Sequence, residues 1–108
     1  MSEFIYLYRN GERLSPEAMQ QQMVKWNDWM KKLGAAGHLK EAGHPLESSG
    51  KIVKAKSVVD GPFAEAKDVI GGFSVIEAKN IEHAVELSAG CPILNTGGAV
   101  EVRPILKM

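Results

Sequence analysis

The side chains able to do chemistry in this 108-residue chain are spread along it rather than gathered in one motif. Asp60, Glu77 and Glu101 are the weak candidates for a general acid or base. Asp60 stands before Gly61-Pro62, where an aspartate ordinarily forms and caps a turn but could also orient a substrate. Glu77 and Glu101 fall in or beside apolar runs, where a carboxylate needs a partner and shifts its pKa when buried. Arg103, two residues beyond Glu101, supplies such a partner. A structural Glu–Arg pair is the plain account of these residues, and a polar cluster lining a pocket is the sharper one. His38, His44 and His83 are too few and too far apart for a metal-ligand set, so no metal is expected. Cys91, before Pro92, lies at the C-terminal end of an expected helix, where the dipole does not favour a thiolate, and reads as a buried structural cysteine. Gly71-Gly72 and Gly97-Gly98 lack the spacing of a phosphate loop, and no cofactor is expected.

The elements that must position these groups follow from periodicity. Phe4-Ile5-Tyr6-Leu7-Tyr8 is apolar on both alternating faces, as in a central strand, and Asn10-Gly11 ends it. Ser15-Pro16-Glu17 starts a helix with a hydroxyl cap, a proline at the first position and an acid near the positive dipole end. Met19, Met23, Trp26, Met30 and Leu33 then recur every three or four residues as its inward stripe, and Gly34 and Gly37 close it. Met and Trp in such a stripe ordinarily build core, although they also line adaptable pockets. Lys40–Gly50 reads as loop or hairpin. Ile52–Val59 alternates like a strand with one wet side, its lysines guarding an edge. Val69–Ile76 reads as a buried strand whose glycine pair marks a bulge or a close backbone approach. Asn80 caps a second helix with Ile81, Ala84, Val85 and Ser88 inward, stopped by Gly90 and Pro92. Ala99–Arg103 is the last strand, and Pro104 argues for an edge.

The order β-α-β-β-α-β predicts an α+β, ferredoxin-like domain over residues 1–108, with a four-stranded antiparallel sheet and two helices on one face. The other sheet face then needs cover, since large exposed apolar patches are rare on monomers. Thirteen Lys and Arg balance thirteen Asp and Glu, which gives no reason to expect nucleic acid as a partner. A lone cysteine suits a reducing cytoplasm, and the start Met1-Ser2-Glu3-Phe4 has no signal-peptide pattern. No apolar run is long enough for a bilayer, so no membrane is expected.

The stretch Asp60-Gly61-Pro62-Phe63-Ala64-Glu65, with Gly71-Gly72-Phe73 and the closing Glu101-Val102-Arg103-Pro104, resembles the YCII-related family, in particular its DGPF-domain branch. The resemblance runs over nearly the whole chain. It implies sheet-to-sheet pairing of two copies as a dimeric α+β barrel, hence a homodimer. Some members pair a first-helix histidine with an aspartate near the end of the second helix as an acid–base dyad. The matching positions here hold Trp26 and Cys91, which cannot reproduce that pair, since Trp has only a donor and no titrating base. Two functions remain open. One is a small-molecule enzyme of acid–base type, a lyase or isomerase, working in a pocket between the first helix and the sheet. The other is a non-catalytic small-ligand-binding or regulatory module linked to transcription, and a purely structural dimer is a weaker third. In either of the first two, Trp26, Asp60, Phe63 and Arg103 are the expected ligand-binding residues. Phe63, a large apolar side chain in a loop, is expected to plug a core or a partner surface.

Overall fold

The computed structural model describes residues 1–11, 14–47, 49–60 and 69–108. Strand β1 (Ser2–Arg9) lies in the middle of a sheet between β5 (Ile70–Ala78) and β6 (Ala99–Pro104), antiparallel to both. Strand β2 (Leu39–Glu41) pairs with the far side of β5, so the sheet order is β2-β5-β1-β6. That is the expected ferredoxin-like, four-stranded antiparallel arrangement. Pro104 sits on the edge strand opposite Phe4, where its missing N–H costs nothing.

Helices α1 (Pro16–Ala35) and α2 (Ile81–Ser88) both cover the face that presents Phe4, Tyr6, Tyr8, Ser74 and Ile76. The caps are as expected: Ser15 Oγ accepts from the Ala18 N–H, and Asn80 Oδ1 from the His83 N–H. The inward stripe of α1 differs from expectation. Gln22, Trp29 and Leu33 are buried, whereas Met19 and Met23 are about half exposed. The spacing 22, 26, 29, 33 is as regular as the all-apolar one, and it takes the larger indole of Trp29 inside at the cost of burying one glutamine. On α2, Ala84 and Ser88 face inward, while Ile81 and Val85 are exposed. The small Ala84 lets the helix come close enough for the Tyr6 hydroxyl to donate to its carbonyl.

The second sheet strand is not Ile52–Val59. Those residues form a separate hairpin of β3 (Lys51–Lys54) and β4 (Ser57–Asp60), exposed along its whole length. The place beside β5 is filled by β2 and by the chain after it. Pro45 bridges Gly72, the Leu46 N–H donates to Gly71 O at 2.8 Å, and the Phe73 N–H to His44 O at 3.4 Å. The glycine pair serves both purposes foreseen for it. The β1–β5 register jumps between Tyr8 and Arg9, leaving Gly71 as a bulge, and a Cβ on Gly72 would lie 3.0 Å from His44 O.

Candidate functional site

A cavity of about 470 Å³ opens between α1, the β1–β5 pair and the 42–46 segment. One wall is aromatic. Trp26 stands edge-on to Tyr8, ring centroids 4.7 Å apart, and Trp29 closes the stack behind them. Met19, Met23 and Met30 flank Trp26 along the helix, so the side chains that the sequence placed in the core line an open space instead. The floor is formed by Ala42 to Leu46 on one side, and by Gly71 and Gly72 on the other. The far end belongs to the 3₁₀ helix Pro92–Thr96, through Ile93 and Thr96. This volume and apolar lining are those of a small-molecule site.

Of the ligand-binding residues expected from sequence, Trp26 lies in the cavity wall. Asp60 is at the end of the hairpin, in an exposed ion pair with Lys51 at 2.8 Å, and is not among the described residues that line the cavity. Glu77, Glu101 and Arg103 lie on the opposite sheet face. There Glu101 pairs with Arg9 and stands 3.9 Å from Arg103, the structural Glu–Arg arrangement. These carboxylates do not converge on the cavity, because strand alternation sends them to the other side from Tyr6 and Tyr8. Phe63 lies outside the described residues. His44 lines the cavity rim, but its ring packs against Phe73, which shares the opposite sheet face with Leu7. His38 and His83 meet edge-on at 4.9 Å, away from it. Among the described residues no Lys, Arg, Asp or Glu lines the cavity and no group of side chains forms a metal site.

Two residues that chemistry would use were not singled out. Gln22 is buried in the helix face, and its Nε2 donates to Pro92 O at 2.7 Å. The Tyr8 hydroxyl is 2.7 Å from Ser74 Oγ, which in turn donates to Ala42 O at 2.6 Å. Burial pushes the hydroxyls of Tyr6 and Tyr8 well above the ordinary tyrosine range, so both stay protonated at neutral pH. A polar residue in register with Trp26, Trp29 and Leu33 was the sequence signal for Gln22.

Cys91 is the buried structural residue it was expected to be, 2% exposed, and burial pushes its thiol up to about 12. An unfolded cysteine gives up its proton near pH 8.5, about three units earlier. The unfolded chain therefore binds fewer protons in that window, and stability falls as pH rises from about 9 towards 12. Melting temperature should hold from neutral pH to about 8.5 and then drop, less steeply in Cys91→Ala. Rapid stoichiometric labelling of the native thiol at neutral pH would contradict the burial argument.

The comparisons with known proteins identify the family and agree with the fold. The chain matches the YCII-related domain over residues 1–108. It belongs to the YCII-related family. Among curated proteins none matches it. Among solved structures it is similar to the 5-chloro-2-hydroxyhydroquinone dehydrochlorinase of Burkholderia phenoliruptrix AC1100, in complex with 2,5-dihydroxybenzoquinone. The identity is 18%, the TM-score 0.57, and the match covers 94% of this chain and 90% of that one. At that identity the likeness establishes the α+β fold. Among the described residues no helix of this YCII-related chain is long and apolar enough to cross a membrane.

Proposed function

We propose that this chain, a DGPF-branch member by its Asp60-Gly61-Pro62-Phe63 signature, binds a small ring-bearing organic molecule in the cavity between α1 and the sheet. The observation that supports this is the cavity itself: about 470 Å³, walled by Trp26, Tyr8 and three methionines. A flat apolar ligand would exchange water for aromatic and thioether surface there. Binding is favoured over acid–base catalysis because the positions of the relatives' dyad hold Trp26, which does not titrate, and Cys91, whose thiol is buried and stays protonated. An enzyme remains the second reading, favoured by the likeness to a dehydrochlorinase in complex with a flat quinone ring.

The test is a screen of small aromatic compounds by calorimetry, with tryptophan emission as a second readout. A ligand that fills the cavity should change the emission of the wild-type protein, and Trp26→Phe should lose most of that change. A ligand bound tightly with both emissions unaltered, or mapped by NMR to the other sheet face, overturns the assignment. Turnover of a bound compound would decide for the enzyme.

The same reading includes a homodimer in the cytoplasm. The outer sheet face carries Ile5, Leu7, Phe73 and Val75 in adjacent register, with the Glu3–Lys40 and Arg9–Glu101 pairs at its margins. An apolar centre within a charged rim is the usual anatomy of an interface. Light scattering at micromolar concentration should give twice the chain mass, and a monomeric mass would rule it out.

A further inference from the structure

The polar atoms at the cavity wall have their hydrogen-bond roles fixed by the protein. Ala42 O is a carbonyl and only accepts, so the Ser74 hydroxyl must give it its proton. Ser74 Oγ then receives the Tyr8 proton, and Tyr8 has only lone pairs left to offer. Gln22 is in the same position. Pro92 O only accepts, so the amide nitrogen of Gln22 faces it and the side-chain oxygen is turned away. Gln22 is 9% exposed, and among the described residues its Oε1 takes no donor. Thr96 likewise spends its hydroxyl proton on Ile93 O. Three elements, β1, α1 and the 3₁₀ helix, thus contribute to the cavity lining residues that hold acceptors: Tyr8, Gln22 and Thr96. The Trp26 indole N–H, with no acceptor among the described residues, is the donor of the aromatic wall.

We infer that Gln22 and Tyr8 select the ligand class: an uncharged aromatic molecule carrying a hydroxyl, which can donate to the fixed acceptors and accept from Trp26. A methyl ether of the same ring accepts but cannot donate. A carboxylate brings a charge into an apolar cavity where the described residues supply no Lys or Arg to pair with it. The inference rests on the cavity being the ligand site.

Calorimetry with naphthol, methoxynaphthalene and naphthoate tests it, because the three share a ring system. The wild-type protein should bind naphthol about tenfold more tightly than methoxynaphthalene, as expected for one well-placed hydrogen bond. Naphthoate should bind most weakly. Tyr8→Phe and Gln22→Met, each checked for an unaltered fold by melting and circular dichroism, should lose affinity for naphthol but not for methoxynaphthalene. If either variant fails to fold, the wild-type ranking and the other variant decide. Equal binding of naphthol and its ether overturns the selection while leaving the cavity as a ligand site. Tightest binding of naphthoate overturns the polarity assigned to the wall. Binding of none of the three overturns the site together with the inference.

Discussion

Trp29→Ala is expected to cost about 3–5 kcal/mol of stability, the range for deleting a buried large aromatic side chain. Trp29 is 6% exposed at the centre of the aromatic cluster. It stacks on Tyr6 at 6.0 Å and meets Tyr8 and Trp26 edge-on at 6.3 and 5.7 Å. Its indole N–H donates to Leu87 O at 3.3 Å, which ties α1 to α2 across the top of the sheet. The ring also sits so close to Gly90 that a Cβ there would be 3.0 Å from it. Removing it leaves a cavity that fixed backbone on several sides cannot fill. Domains of this size are stable by roughly 5–15 kcal/mol, so the variant should lose a large share of that margin. Urea unfolding should show a lower midpoint at an unchanged slope. Trp29→Phe, which retains a ring and gives up the bond to Leu87, should cost clearly less. A Trp29→Ala loss below about 1 kcal/mol would mean that the cluster is not the keystone of the core.

Trp29 also shows how far the sequence could be read. The element types on the helix side came through because each had a local cause: Ser15 and Asn80 as caps, a run apolar on both faces for β1, a glycine pair for the bulge in β5. The rotation of α1 had no local cause. The stripes through Met19 and Met23 and through Gln22 and Trp29 share Trp26 and Leu33, so periodicity alone could not choose between them. Packing did, because burying an indole against Tyr6 outweighs burying a methionine, and the polar Gln22 found Pro92 O as its partner.

The misplaced second strand has a similar origin. Ile52–Val59 has strand composition and does form strands, but as a hairpin of its own. The sheet edge went instead to a polar stretch containing Gly43 and Pro45, whose pairing with β5 depends on backbone contacts that side-chain patterns do not report. The candidate site was legible only at Trp26. Asp60, Glu77, Glu101 and Arg103 were chosen for their chemistry, and strand alternation and the hairpin put them elsewhere.

Gly43→Ala should be among the most damaging of small substitutions, and its effect should reach the cavity. Gly43 has φ +74°, in the left-handed region that costs an L-residue about 1–2 kcal/mol. An added Cβ would also lie 1.8 Å from Phe73 O and 2.7 Å from Phe73 C. These are backbone atoms in a sheet strand and have little room to move. The 42–46 segment would have to lift away, giving up the bonds from Leu46 N to Gly71 O and from Phe73 N to His44 O. Each is worth about 0.5–1.5 kcal/mol net, so a total loss of roughly 2–5 kcal/mol is expected. Because that segment is one side of the cavity, the folded fraction should also bind a cavity ligand more weakly. Two glycines of the same chain serve as controls. Gly34, inside α1 with nothing within 4 Å of an added Cβ, should tolerate alanine and gain up to about 1 kcal/mol from helix propensity. Gly37 has φ +80° but open space around it, so alanine there should cost the backbone strain alone. The expected order of melting temperatures is Gly34→Ala above wild type, then Gly37→Ala, then Gly43→Ala, with ligand affinity reduced only in the last. If Gly37→Ala and Gly43→Ala were equally destabilised and bound ligand equally well, the close approach of the 42–46 segment to β5 would not be what shapes the cavity.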